Sequence, residues 1–369
     1  MGWPTVPTTA RTTTLVRLCT LALYLVSITA FATYPSITRR GARAQPDLST
    51  LVQERRYLSS TTTTTTTTED NNESSSSSSW PPLQLLTGNV TVLEQSENYV
   101  VVSKPHAVVC HHSEWTGGSR RVSNSDREIP MLQRVRQAVG QRVNLVHRLD
   151  RGCTGCLLMT FQDQPNATST LIASMAGQKN KTYLALVRGE GVLGEQNFVN
   201  QGWFRVDRRI KNENGVEQDA VTWFRFIAGQ GNDRGQLDRP RASLVLARPE
   251  TGRWHQIRRH LRGLSHPILG DATHGILKEN RYWKKRGMLP ERTCLHLLSL
   301  QLEPTCVSPN GIDVTCPLAP DMLQMLQDHL PDVLERALPI LRDEEGIDLL
   351  NNPAYDEAKI VTLPYEIEI

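Results

Sequence analysis

The chain has 369 residues, with 41 Lys and Arg against 38 Asp and Glu, a formal charge of only +3. That total conceals a gradient, because residues 1–88 carry +2, residues 89–330 carry +8 and residues 331–369 carry −7. A uniformly basic nucleic-acid coat and a multi-span membrane protein are excluded, whereas a basic binding face is expected in the middle of the chain.

Residues 18–30 (LCTLALYLVSITA) form an apolar run preceded by Arg11 and Arg17. Thirteen residues fall short of the roughly 20 needed to span a bilayer core. A basic start, a short apolar core and the small Ala30 instead fit a signal peptide. Arg39, Arg40 and Arg43 follow among Ser and Thr, with no acid before Asp47, which is transit-peptide composition. The stretch Ala30-Phe31-Ala32-Thr33 resembles the signal/transit junction of bipartite presequences that address complex plastids. Residues 1–46 are therefore expected to be an organelle presequence, with the plastid favoured, the mitochondrion as alternative, and no stable membrane association after processing. The Thr run 61–68 and Ser run 74–79 have no apolar face to offset ordering entropy, so residues 47–86 read as a disordered linker.

Beyond it, 90–94 and 99–103 (YVVVS) read as short β-branched strands separated by a polar turn. Residues 130–141 carry apolar side chains at helical spacing, and 157–161 and 183–187 read as strands with a helix over 168–175 between them. Further strands are expected at 221–227 and 243–247, a helix over 254–264, a strand at 295–302 and a final amphipathic helix over 319–330. Strands dominate with helices scattered among them. This pattern predicts an α+β fold around a central, mainly antiparallel mixed sheet with flanking helices. One domain is expected over 87–335, followed by an acidic tail over 336–369 that is mobile and self-shielding.

Chemistry concentrates in two clusters. The first is Val146-His147-Arg148-Leu149-Asp150-Arg151-Gly152-Cys153-Thr154-Gly155, running into a strand. An acid between two arginines sits in a positive field that favours its charged form, suiting it to act as nucleophile or base. On spacing alone, a surface salt-bridge cluster is the better explanation. The second cluster is Thr251-Gly252-Arg253-Trp254-His255-Gln256-Ile257-Arg258-Arg259-His260, at the start of a helix. A helix start offers N–H groups to anions, and its arginines are suited to bidentate phosphate contacts. The turn His266-Pro267-Ile268-Leu269-Gly270-Asp271 follows.

With Lys181-Thr182-Tyr183-Leu184-Ala185-Leu186-Val187-Arg188-Gly189, Ser103-Lys104-Pro105 and Leu295-His296-Leu297, these clusters in this order resemble the RluA-type pseudouridine synthases over about residues 88–335. The Arg-Arg-His-Leu ending, the Leu-Ser-His-Pro-Ile run and the insert 276–293 are most similar to the tRNA pseudouridine synthase C branch. Members cut the N-glycosidic bond of a uridine, turn the base and rejoin it through C5 to C1′. The resemblance implies that Asp150 is the catalytic aspartate, attacking the sugar or removing a proton after bond cleavage. It implies that Tyr183 stacks on the extruded base and that Arg258 pairs with the aspartate. Arg148 would fill the gap left by the flipped nucleotide. Lys104, Arg151, Thr154, Arg253, His255 and Gln256 are carried over as substrate-binding positions, and Leu295 and His296 as pocket lining. No metal or cofactor is implied. The implied partner is RNA, with tRNA first and rRNA as alternative, bound by a monomer. A non-catalytic RNA-binding or RNA-folding protein on the same fold is the competing reading, but it has no need of the Asp150, Tyr183 and Arg258 trio.

Departures and distractions complete the reading. Cys153-Thr154 stands where the family has Thr-Ser, and Ser103 where it has Asn. Cys153 and Cys156 have redox or zinc half-site spacing, but a structural zinc wants a second close pair, and the cysteines are expected to be small buried thiols without a disulfide framework. His111 and His112 are expected in a surface loop near the RNA. Two basic segments with aromatics, 203–209 and 280–286, are expected to carry phosphates and stack bases.

Overall fold

The computed structural model describes residues 89–111, 129–164, 166–177, 179–199, 201–230, 240–350 and 359–361. The expected presequence, the linker and His112 lie outside the described residues. Strands β1 (Val90–Gln95) and β2 (Tyr99–Lys104) precede helix α1 (Met131–Val139), then β3 (Val143–Leu145), β4 (Thr154–Phe161) and α2 (Ala167–Ser174). Next come β5 (Lys181–Arg188) and the short pairs β6 (Val192–Leu193) with β7 (Gln196–Asn197). β8 (Phe204–Asp207) follows, then β9 (Ile210–Lys211) paired with β10 (Glu217–Gln218). The long strands β11 (Val221–Gly229) and β12 (Ala242–Pro249) lead into α3 (Gln256–Gly263) and α4 (Leu277–Lys284). β13 (Leu295–Leu302), β14 (Ile312–Thr315), α5 (Pro320–His329), α6 (Pro331–Glu345) and β15 (Lys359–Val361) complete the order.

Eleven strands share one sheet, in the order β15-β1-β2-β4-β13-β5-β12-β11-β8, with β14 beside β13 and β3 beside β4. Among the described residues only the β4–β13 pairing is parallel; its neighbours are antiparallel, as the scatter of helices predicts. All eight residues of β4 are buried, and six consecutive residues of β5. Strands covered on both faces read as continuous apolar runs rather than alternating ones. The parallel pair meets where β4 begins, with Thr154 opposite His296 and Gly155 opposite Leu297. Gly155 has φ +115, and a Cβ there would overlap the Leu297 backbone, so only glycine permits this approach. The close approach places the loop that carries Asp150 beside β13.

Two expectations change. The acidic segment beyond residue 335 does not begin as a mobile tail, because α6 runs to Glu345 with Val333, Leu334, Ala337 and Leu341 buried. Its apolar side chains recur at helical spacing, a signal that net charge hides. The Glu345 carboxylate, only 4% exposed, holds Arg225 and Arg248. It also accepts the indole N–H of Trp203 at 2.8 Å. The second change concerns the two aromatic basic segments. Trp203 lies under Arg248 at 4.2 Å, Arg286 covers Tyr282 at 3.6 Å, and Trp283 is buried. Their rings are spent on internal contacts.

Candidate active site

The 146–153 loop between β3 and β4 carries Asp150, and its backbone is pinned from several sides. Cys153 N–H closes a turn onto Asp150 O at 3.0 Å, and Thr293 N–H donates to Gly152 O at 3.0 Å. Lys104, fully buried at the end of β2, donates from Nζ to the carbonyls of Pro105 (2.8 Å), Arg151 (3.2 Å) and Cys153 (2.8 Å). A buried ammonium needs such acceptors to offset lost hydration. Arg151 donates from Nε to Ala107 O at 3.0 Å and pairs with Glu291 at 3.2 Å. Lys104 and Arg151 were expected to bind substrate; the structure makes them clamps on the loop that presents Asp150.

Helix α3 supplies the partner. Arg258 Nη1 donates to Asp150 Oδ2 at 2.7 Å, while its Nε and Nη2 form a two-pronged contact with Asp271 Oδ2 and Oδ1, both at 2.7 Å. Asp271 also accepts the N–H groups of Thr273 and His274 at 2.8 Å. Burial opposes the Arg258 charge, but the hydrogen bonds and charges of Asp271 and Asp150 prevail and raise its pKa above the ordinary value. Burial likewise opposes ionisation of Asp271, and Arg258 outweighs it, so the carboxyl titrates below its usual range. The guanidinium thus pairs with Asp150, as the resemblance implies, and its remaining nitrogens are taken by Asp271 rather than left for phosphate. The Asp150 side chain is 30% exposed, Arg258 and His255 both approach Oδ2, and among the described residues no hydrogen bond reaches Oδ1.

Asp150, Arg148, Leu149, Cys153, Tyr183, Arg253, Trp254, His255, Arg258 and Leu295 line one cavity of about 140 Å³. A cavity of about 150 Å³ holds a benzene ring, so this space is on the scale of one small planar ring. Tyr183 enters from β5, 9% exposed. Burial first, then the neighbouring Cys153 and Asp150, raise its phenol pKa, so the hydroxyl stays protonated at neutral pH. Burial also raises the Cys153 thiol. Arg148 and Arg253 are exposed at this cavity. His255 Nε2 stands 3.7 Å from Asp150 Oδ2, and its Nδ1 pairs with His274 Nε2 at 3.0 Å. Burial pushes the His255 pKa down to about 4, so the ring is neutral at pH 7.

Three further expected substrate contacts are hydrogen-bonded within the protein, Gln256 at the wall of the Asp150 cavity and Thr154 and His296 away from it. Gln256 Oε1 accepts the Thr251 hydroxyl (2.7 Å) and Arg253 N–H (3.0 Å), and Nε2 donates to Val221 O and Thr222 Oγ1, both at 2.9 Å. It ties the 251–255 loop to β11. Thr154 Oγ1 lies 2.7 Å from His296 Nδ1 and accepts from Arg292 Nη1 at 3.1 Å. The Cys316 carbonyl, 3.3 Å from His296 Nε2, can only accept, so Nε2 carries the hydrogen and Nδ1 takes the Thr154 hydroxyl. Thr154 and His296 are buried beside Lys104 and do not line the Asp150 cavity. Cys153 and Cys156 are buried free thiols, and His147 Nε2 accepts Leu158 N–H at 3.1 Å.

Sequence reasoning missed Asp271, His274, Arg292 and any role for Trp254. The sequence presents Gly270-Asp271 as the end of a turn that follows the second cluster, with no role for the carboxylate. That carboxylate marks a buried partner for the helix arginine, a signal visible once both are placed on adjacent elements.

A family model described as RNA pseudouridylate synthase matches residues 98–262. The chain is 35% identical over 236 residues to tRNA pseudouridine synthase C of Pectobacterium carotovorum subsp. carotovorum, covering 60% of this chain and 58% of that protein. It is 35% identical over 195 residues to tRNA pseudouridine synthase C of Yersinia pestis, covering 52% of this chain and 72% of that protein. The match to the protein of that description from Vibrio vulnificus is 32% over 217 residues, covering 57% and 83%.

Proposed function

Because the chain belongs to the RNA pseudouridylate synthase family, we propose that it isomerises a uridine of structured RNA to pseudouridine, with Asp150 as the acting carboxylate. One observation carries the reading: Arg258 clamps Asp150 Oδ2 at 2.7 Å while Oδ1 is left without a protein hydrogen bond among the described residues, beside a cavity of about 140 Å³. A carboxylate ion-paired through one oxygen with a buried guanidinium, with the other oxygen available, suits attack on the sugar or removal of a proton. In either route the N1–C1′ bond breaks, C5–C1′ forms, the C5 hydrogen leaves and N1 gains one. No co-reactant is required. The protonated Tyr183 ring offers the extruded base a face, and the exposed Arg148 is placed to take the space it vacates.

The relatives' names favour tRNA as the substrate. The composition of residues 1–46 favours an organellar tRNA, plastid before mitochondrial, and the +8 of residues 89–330 supplies the attraction for phosphate. Pseudouridine mapping of organellar and cytosolic RNA, with and without the protein, tests this reading. Sites lost from organellar tRNA support it; sites lost from rRNA alone move the substrate, and no lost site in any RNA overturns the activity.

A further inference from the structure

Trp254 is the only aromatic ring among the exposed large hydrophobic side chains of the described residues, at 51% exposure. It sits at the Asp150 cavity, not on a remote surface. Its inner face stacks on His255, with centroids 3.9 Å apart and planes 21° apart, and His274 meets its edge at 6.2 Å and 74°. The ring is held in place. His255 adopts φ 53, a left-handed conformation that L residues rarely take, and Gln256 ties the preceding loop to β11. Arg253 is fixed through Nε to Asp219 O at 3.0 Å, keeping an exposed guanidinium beside the indole. Covering this ring with another flat ring would remove its apolar surface from water and add a stacked aromatic pair. Tyr183, the other large ring at this cavity, is buried within it and faces the space for one base.

We propose that Trp254 is a stacking platform for an unpaired base adjacent to the target uridine, extending the Trp254–His255 stack by one ring, with Arg253 against the phosphate beside it. The inference rests on the reading of this cavity as an RNA-modifying site. It makes the protein select uridines whose neighbour can leave a helix, hence loop positions over uninterrupted duplex. Base–aromatic stacking is worth about 1–3 kcal/mol per base, so removing the ring weakens RNA binding roughly 5- to 150-fold.

The test measures Kd for a tRNA transcript, independently of turnover, with the wild type, Trp254→Ala and Trp254→Phe. Trp254→Ala is expected to bind at least fivefold more weakly, with Trp254→Phe recovering most of the loss and unchanged thermal unfolding excluding a folding defect. An abasic nucleotide beside the modified uridine should weaken the wild type by the same factor and leave Trp254→Ala unaffected. Equal Kd values for wild type and Trp254→Ala, or an abasic penalty identical in both proteins, overturn the proposal. A wild type that binds but forms no pseudouridine would instead overturn the activity, and the binding comparison would still decide the stack.

Discussion

At the residue scale, the site is a chain of charges in which each member constrains the next: Asp150, Arg258, Asp271. The inner pair carries most of the cost and most of the gain, since the Asp271 side chain is fully buried and that of Arg258 is 7% exposed. Two ions moved out of water repay desolvation only with good geometry, and the two 2.7 Å contacts provide it. Asp271→Asn removes the charge that balances Arg258 and leaves the guanidinium with Asp150 alone. Breaking a buried pair costs about 3–5 kcal/mol, and the remaining partner places this variant near the lower end, about 3 kcal/mol in urea unfolding. Arg258 would also shift toward its surviving partner, and a displacement of about 1 Å can cost about 100-fold in rate. Single-turnover kinetics should therefore show a lower chemical rate even where the variant is fully folded. A variant of wild-type stability and rate would show that Asp271 does not position Arg258.

At the element scale, α6 closes the outer face of the sheet. Glu345 faces Arg225 and Arg248, whose side chains are 14% and 13% exposed, and Arg248 donates onward from Nε to Thr182 Oγ1 at 3.1 Å, next to Tyr183. Glu345→Ala leaves two largely buried cations without their shared carboxylate. It is expected to lower stability by about 3 kcal/mol by denaturant unfolding, where an exposed pair would give less than about 1 kcal/mol. This latch was not legible in the sequence, because it joins residues 97 and 120 positions apart and sits in a segment whose net charge suggests solvent. Much else was legible. The strands of β1, β2, β5, β11, β12 and β13 follow from β-branched and apolar runs, and α5 from its spacing. The start of α3 was placed two residues early, because His255 adopts a left-handed conformation that no propensity anticipates. For the site, the structure brings Asp150, Tyr183, Arg258, Arg148, Arg253, His255, Gln256 and Leu295 to one cavity. Lys104, Arg151, Thr154 and His296 carry the same motif signal but hold the backbone of the Asp150 loop and the parallel β4–β13 junction. Motif membership shows that a residue matters to a site, not whether it touches the substrate.

At the scale of the whole molecule, buried and half-buried histidines set the response to acid. Burial lowers the pKa of His147 to about 3 and of His255 to about 4, and lowers those of His106, His260, His266 and His274 from the ordinary 6.5. Between these folded values and 6.5 the unfolded chain binds more protons than the folded one, so stability rises with pH across that window and is lost as pH falls from 6.5 toward 4. Asp271 adds a later loss, since its lowered pKa stabilises the fold above the unfolded value of 3.8 and that contribution disappears as pH falls through the folded value. Calorimetry at pH 7.5, 6, 5 and 4.5 should show Tm declining from about pH 6.5, before carboxylates protonate; a flat Tm to pH 4.5 would contradict burial of the rings. The charge gradient along the chain also gains a structural meaning. Part of the −7 beyond residue 330 neutralises arginines on the sheet through Glu344 and Glu345, while Arg148 and Arg253 remain exposed at the cavity.

The central claim is that Asp150 performs the chemistry, and it is tested most directly by comparing purified wild type with Asp150→Asn on tRNA transcripts, measuring pseudouridine formed and RNA bound. The account predicts pseudouridine at a defined uridine with the wild type, none with Asp150→Asn, and RNA binding by both. An Asp150→Asn protein that forms pseudouridine at the wild-type rate would contradict it.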